Sequence, residues 1–312
     1  MSTLTPNAIK IFKSCFAQIT IKELHNRIDY FRKFIDPRHL SEANLSKELR
    51  KLFSVVVNGI PSTFFLKTDV MTDPYQRFYF YRIRKLTLED KEAIYTKDFP
   101  SMQSEQDIWT KPASLVKNYG RLNRPEQSIL YLGSTATNAL YETDCQPGDF
   151  FFLQVYQNKN PMRISQIHTS QYMEEFDEIE NAKLLLVHQF LLSEFTRVTP
   201  PNQDLLYKTS LLIYEEFFKA QEVDGYTYPS IKTLPKLGYN IVFEEASAKK
   251  NLKFLGVTVG RVMDKPSDAE FNTEIYYDGF LNQAGTFDFF SWNSKESKES
   301  FGDFSIVRNM GL

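Results

Sequence analysis

Cysteine is nearly absent: Cys15 and Cys145 are the only two in 312 residues. Two thiols exclude a disulfide framework and a four-cysteine zinc site, and they fit a reducing compartment, with the cytoplasm as the default. Histidine is almost as scarce. His25, His39, His168 and His188 show neither an i, i+4 helical pair nor a cysteine at ligand spacing, so no metal centre is expected. The 12 glycines include no Gly-x4-Gly-Lys-Ser/Thr string and no Gly-x-Ser-x-Gly elbow, which excludes a Walker-type phosphate loop and the serine-hydrolase turn. A surplus of one charge is also missing. The 37 basic and 39 acidic residues leave a formal charge of -2, with no bulk attraction toward nucleic acid or anionic lipid. Apolar runs such as Leu52 to Val57 and Leu184 to Leu192 fall well short of the ~20 residues of a membrane span. Residues Met1 to Ala8 lack the basic region and apolar core of a secretory signal.

Aromatic side chains are plentiful, with 27 Phe, 17 Tyr and 2 Trp, and many lie in strand-like runs. A chain of this length is one large domain with appendages or two domains. Residues 5 to 58 read as helical, because Ile9, Phe12, Phe16 and Ile19, and then Leu24, Ile28, Phe31 and Ile35, recur at spacings of 3 and 4. Asp36-Pro37 breaks the pattern. Ser41 or Asn44 restarts it before Leu45, Leu49, Leu52 and Phe53, and it fades by Asn58-Gly59-Ile60-Pro61. From Phe78 the period becomes that of a strand, and a loop-rich stretch from Thr87 to Pro125 follows. Ser128 to Gly133 reads as a strand, with Ser134 or Thr135 capping a short helix through Glu142. Phe150 to Tyr156 is another strand, residues 174 to 197 and 203 to 222 are two helices, and Asn240 to Phe243 and Leu252 to Val262 are strands. The expected organisation is a helical region 1–72, a second domain 73–262, and a polar extension 263–312 of unknown role.

Three segments place polar residues inside or beside strong strand signals. They are Phe80-Tyr81-Arg82-Ile83-Arg84; Tyr119-Gly120-Arg121-Leu122-Asn123 with Ile129 to Gly133 and Ala139-Leu140-Tyr141-Glu142; and Tyr228-Pro229-Ser230 with Gly238-Tyr239-Asn240. Strict alternation in the middle strand puts Leu130 and Leu132 on one face and Ile129 and Tyr131 on the other. Singly, each has an ordinary structural use: an edge arginine, a turn, a solvated helix glutamate.

Together their order resembles the RES domain, a family named for its Arg, Glu and Ser residues. The matching pattern is an early Tyr-Arg strand, a Gly-Arg-x-Asn turn, a Tyr-bearing strand, a helix ending Ala-Leu-x-Glu, and a late Pro-Ser followed by an Asn before an apolar strand. The resemblance covers about residues 78 to 262, with Arg121, Tyr131 and Glu142 at intervals of 10 and 11. Leu122 stands where the family carries Trp or Ala. The resemblance implies an α+β fold with a core like that of ADP-ribosyltransferases, here preceded by a small helical unit. It implies a toxin or defence effector whose catalytic domain, 73–262, degrades NAD at the nicotinamide–ribose bond, with Glu142, Arg121 and Tyr131 catalytic and Arg82, Ser230, Asn240 and Asn123 binding NAD. Inorganic phosphate is a possible co-substrate and an antitoxin or regulatory protein a possible partner, with no cofactor beyond the substrate. In the family's fold an ADP-ribosyltransferase acting on a macromolecule is the alternative, and an idle NAD-binding or interaction module is a third.

The chemistry of these residue types suits that substrate. Cleavage at the anomeric carbon develops positive charge on the sugar, which a carboxylate such as Glu142 stabilises. A pyrophosphate is matched by planar guanidinium groups, for which Arg82 and Arg121 are the candidates. Tyr131 offers a ring to stack on nicotinamide, and Ser230 a hydroxyl for the ribose or the nicotinamide amide. The helices before residue 72 are expected to bind a partner or gate the site without supplying catalytic groups.

Overall fold

The structure is a computed structural model that describes residues 6–64, 68–167, 172–200, 202–230, 238–267 and 270–301. The fold is α+β with a helical N-terminal region. In chain order it runs α1 (Pro6–Phe16), α2 (Ile21–Phe34), α3 (Glu42–Phe53), β1 (Ser54–Val57), β2 (Ile60–Thr63), β3 (Thr68–Met71), β4 (Tyr79–Lys85) and α4 (Leu88–Glu92). Then come β5 (Ile129–Gly133), α5 (Ala136–Glu142), β6 (Phe150–Asn158), β7 (Arg163–Gln166), α6 (Glu178–Phe195), α7 (Lys208–Ile213) and β8 (Gly225–Pro229). The chain closes with β9 (Tyr239–Glu244), α8 (Glu245–Asn251), β10 (Leu252–Ser267), β11 (Glu270–Leu281), β12 (Phe287–Ser291) and α9 (Lys295–Phe301). Among the described residues no helix is long and apolar enough to cross a membrane.

The chain forms two compact units, and neither is continuous in sequence. The first comprises Met1–Val70, Ala113–Gln127 and Arg163–Tyr228, and the second Met71–Pro112, Ser128–Met162 and Pro229–Leu312. The N-terminal helices therefore do not stand alone, as a unit ending at residue 72 would. They share a core with α6 and α7, and that same unit carries Arg121 and Asn123, which the expected boundary placed in a domain 73–262.

Amphipathic faces explain the first unit. Thr20 and Ser41 cap α2 and α3 by accepting from the amides of Glu23 and Asn44, and Asp177 and Glu180 form a reciprocal capping box at α6. The buried stripe of α2 (Leu24, Ile28, Phe31) and that of α3 (Leu45, Leu49, Leu52, Phe53) meet an aromatic cluster in which Phe190 packs edge-on against Phe31 and Phe53. Two lysines reinforce the joints: the Lys183 ammonium donates to the Phe16 carbonyl at 2.7 Å, and Lys208 to the carbonyls of Pro37 and Leu40. The helix expected to fade near Gly59 stops at Phe53. Val55-Val56-Val57 pair with Pro61 and its neighbours as a hairpin whose turn residues Asn58 and Gly59 both have positive φ, the geometry Asn-Gly favours. The helix expected over 203–222 is also interrupted: α7 is flanked by a 3-10 turn (Asp204–Tyr207) and a π-turn (Tyr214–Phe218). β7 and β8 pair in parallel within this unit, Ile164 opposite Gly225.

The second unit is built on hydrogen-bonded strands in the order β12-β11-β10-β6-β4-β5-β9, and every registered pair among them is antiparallel. One face of its centre is covered by α5, where Tyr81, Ile83, Ala136, Ala139, Leu140, Phe151, Leu153 and Val155 form one buried cluster. The other face holds Leu86, Phe99, Met102, Ile108, Phe152, Val257 and Val259. Residues beyond 262, expected as a polar extension, continue the sheet. β10 runs on to Ser267, β11 and β12 pair beyond it, and α9 is anchored where Ser297 Oγ donates to the buried Asp278 at 2.6 Å. Scattered aromatics conceal this in the sequence. Gly279 shows what they do, because a Cβ there would lie 2.5 Å from the Phe289 ring.

Candidate active site

Strand β5 obeys the expected alternation: Leu130 and Leu132 are buried and Ile129 and Tyr131 half-buried. At its end Gly133 lets the chain turn tightly into α5, since a Cβ there would meet the Ala139 amide and the Thr135 carbonyl at 3.0 Å. Of the two caps foreseen, Thr135 is used, accepting from the Asn138 amide at 3.0 Å. Ser134 instead ties α5 to the start of β9, its amide donating to the Tyr239 carbonyl and its hydroxyl accepting from the Tyr239 amide, both at 2.9 Å.

Two turns along, Glu142 closes α5 with its carboxylate half-buried. Its Oε1 accepts from Ser230 Oγ at 2.6 Å and from Asn240 Nδ2 at 2.9 Å. The Asn240 carbonyl oxygen in turn accepts from Asn138 Nδ2 at 3.1 Å, and Asn138 is fully buried one helical turn before Glu142. Oε2 takes no hydrogen bond from the described residues. Glu142, Ser230 and Asn240, predicted from the sequence as site residues, thus meet in one constellation. Asn138 was not foreseen. An asparagine inside a seven-residue helix, four positions before a glutamate, was the available signal, because asparagine is a poor helix former unless its amide has a partner. The Ser230 proton is spent on Glu142, so toward a ligand that hydroxyl accepts and does not donate.

Strand register decides which other candidates share this face. Residues paired directly across neighbouring strands lie on the same side of a sheet, and the side alternates along each strand. Gly133 pairs with both Tyr81 and Asn240, and Tyr131 pairs with Val242. Tyr131 therefore lies on the face of Asn240 and α5. Arg82, next to Tyr81, points to the opposite face.

There Arg82 is a fastener. Its Nη1 donates to the Trp109 carbonyl, Tyr156 donates its hydroxyl proton to the Ile108 carbonyl, and Arg84 Nη1 and Gln154 Nε2 both reach the Asp107 carbonyl at 3.1 Å. Three successive carbonyls of one strap, residues 107–109, are pinned to the sheet by four side chains. Burial pushes the Tyr156 phenol up to about 12. It also lowers Arg84, with the neighbouring Arg82 charge adding to the effect. The placement separates Arg82 from Glu142 by the thickness of the sheet, contrary to the role that the resemblance implies for it.

Arg121 and Asn123 belong to the first unit. The Arg121 guanidinium lies 4.9 Å from the centre of the Tyr207 ring, and its carbonyl accepts from Ser210 Oγ at 3.0 Å. Its Nη1 is buried without a hydrogen-bond partner among the described residues, a costly state for a charged donor and a capacity for an anion. Asn123 shapes the turn: its carbonyl accepts from the Gly120 amide at 2.9 Å and its Nδ2 donates to the Arg124 carbonyl at 3.0 Å. Next to it, Arg124 pairs with Glu42 and Glu215. His25, His39 and His188 join no cluster of three or more His, Cys, Asp or Glu side chains among the described residues, and His168 lies outside them. No family model, curated protein or solved structure matches the chain.

Proposed function

We propose that the chain cleaves the nicotinamide–ribose bond of NAD by hydrolysis or phosphorolysis, as the RES-like order of its residues implies. The observation that carries this reading is the Glu142 carboxylate, fixed through one oxygen by Ser230 and Asn240 while the other takes no hydrogen bond from the described residues. A carboxylate bonded on one side only keeps its free oxygen for a ribose hydroxyl or the anomeric carbon, where charge develops as nicotinamide leaves. The two donors fix its direction. Tyr131, on the same face, supplies a ring for nicotinamide. An ADP-ribosyltransferase-like core, a toxin or defence role and a restraining protein partner belong to the same proposal.

Incubating the full chain with NAD, with and without phosphate, and following proton and phosphorus NMR tests it. Free nicotinamide with ADP-ribose supports hydrolysis, and nicotinamide with ADP-ribose 1''-phosphate supports phosphorolysis. Nicotinamide release only when a protein or nucleic-acid acceptor is present moves the reading to transfer. Intact NAD under all these conditions overturns it.

A further inference from the structure

The sheet does not end where β6 ends. β10 pairs with β6 only as far as Arg261, which faces Phe150, yet β10 and β11 stay paired out to Ser267 and Glu270. The hairpin therefore extends beyond the strand that supports it. Its register shifts between Val259 and Gly260, between Val262 and Asp264, and again between Asp264 and Ser267. Irregularities of this kind bend and twist a strand pair, so the hairpin can curl away from the sheet plane.

Its distal part lies on α5. Tyr141 donates its hydroxyl proton to the Ser267 carbonyl at 3.1 Å, and its ring meets Phe271 edge-on at 4.6 Å. The Lys265 ammonium sits 4.5 Å from the centre of the Tyr141 ring and 5.8 Å from that of Phe271. Tyr141 is 5% exposed although it lies in the last turn of a seven-residue helix, where carbonyls lack internal partners and ends fray. The next residue is Glu142.

We propose that the β10–β11 hairpin is a clamp on the last turn of α5, with Tyr141 the positioning residue that holds the Glu142 backbone while Ser230 and Asn240 aim its carboxylate. The two grips are complementary. Side-chain bonds to Oε1 fix direction only if the Cα from which the side chain springs is itself fixed. On a short helix Asn138 restrains the face toward β9, and Tyr141 restrains the face toward the hairpin. Releasing Tyr141 lets the last turn fray, so Glu142 spends less time where its free oxygen meets the reacting carbon. Ground-state contacts made by other residues stay in place, and the loss falls on turnover.

The catalytic half rests on the NAD-cleaving reading above; the clamp half does not. The test therefore has two readouts on the full chain: hydrogen exchange at the amides of Thr143, Asp144 and Cys145, which close the end of α5, and the kcat and KM of NAD cleavage. Tyr141→Ala is expected to speed exchange at these amides by about tenfold or more and to lower kcat by about tenfold with KM little changed. Tyr141→Phe, which keeps the ring and loses one hydrogen bond, restores most of both. Phe271→Ala, a change in the hairpin itself, should reproduce the effect if Tyr141→Ala does not fold. Unchanged exchange in both Tyr141→Ala and Phe271→Ala overturns the clamp. Faster exchange with unchanged kcat overturns the positioning role. Faster exchange in a chain whose wild type leaves NAD intact upholds the clamp and overturns the catalytic reading on which the rest depends.

Discussion

On the α5 face of β4, β5 and β9, hydrogen bonds converge on a side-chain carboxylate, whereas on the opposite face of β4 and β6 they converge on backbone carbonyls. Ser230, Asn240 and Asn138 spend their protons orienting Glu142 or one another. Arg82, Arg84, Gln154 and Tyr156 spend theirs on the strap at residues 107–109. Both groups are polar side chains set among the buried apolar residues of the sheet and α5. What separates them is the acceptor. A backbone carbonyl is a fixed structural need, and the donor that meets it has one function. A carboxylate bonded through one oxygen remains half available, and the donors that meet it prepare it for something else.

The largest expected effect breaks the α5 face. Glu142→Gln keeps an oxygen to accept from Ser230 and Asn240 but removes the charge, so turnover should fall by roughly 100-fold or more with little change in the unfolding midpoint. Single-turnover rates together with calorimetric titration of NAD decide this. Wild-type cleavage by the variant would remove Glu142 from the chemistry, however well it is oriented. On the strap face the sign of the comparison reverses. Arg82→Met should cost about 1–3 kcal/mol in denaturant unfolding, the scale of a charged hydrogen bond lost and a buried carbonyl orphaned, while NAD affinity stays within about twofold. If NAD affinity drops and stability does not, Arg82 reaches the ligand and the two faces are not functionally distinct.

Much of this was legible in advance, and the parts that were not share a cause. Alternation in Ile129 to Gly133, the cap before Ala136 and the placing of Glu142 at a helix end are local, and local sequence carries them. That Ser230 and Asn240 close on Glu142 across 88 and 98 residues is invisible to periodicity and is suggested only by the RES-like order of motifs. Arg82 shows the limit of that order. Alternation says that Arg82 and Tyr81 face opposite ways, but not which way faces the site. That requires the pairing of Tyr81 with Gly133. The hairpin of β10 and β11 was missed beyond Val262 because the exposed run Met263 to Ser267 alternates with nothing to bury. The interleaving of two units was missed because it follows from Lys183, Lys208 and the Phe190 cluster, contacts spread over more than a hundred residues.

A smaller effect sharpens the α5 face. Asn240→Ala removes one donor to Glu142, while Ser230 still holds Oε1 and the Asn138 amide keeps its bond to the Tyr239 carbonyl. Turnover should fall by about tenfold, short of the loss from Glu142→Gln, because a misdirected carboxylate still carries its charge. Steady-state rates of the two single variants and of the double variant check this. A double variant no slower than Glu142→Gln alone places Asn240 upstream of Glu142, and a fully additive loss assigns it a separate contact with the substrate.

The smallest effect compares one tyrosine from each face. Burial raises both Tyr156, on the strap face, and Tyr81, on the α5 face, to about 12, against about 10 in the unfolded chain. A folded state that holds its proton above the pH at which the unfolded chain releases it loses stability as pH rises. The contribution is therefore complete below about pH 10 and decays between about 10 and 12. Tyr119, also raised to about 12, titrates alike in every variant and sets a common background. Replacing either tyrosine by phenylalanine should make the alkaline decline shallower, but the two variants should differ at pH 8. Tyr156→Phe abandons the Ile108 carbonyl and should lose about 1 kcal/mol there, whereas the Tyr81 hydroxyl makes no hydrogen bond to the described residues and Tyr81→Phe should be close to neutral. Urea unfolding at pH 8, 10 and 11.5 for the three chains reads both quantities. Equal losses at pH 8 would mean that the strap is not held by Tyr156, and the contrast between a fastening face and a preparing face would then rest on the arginines alone.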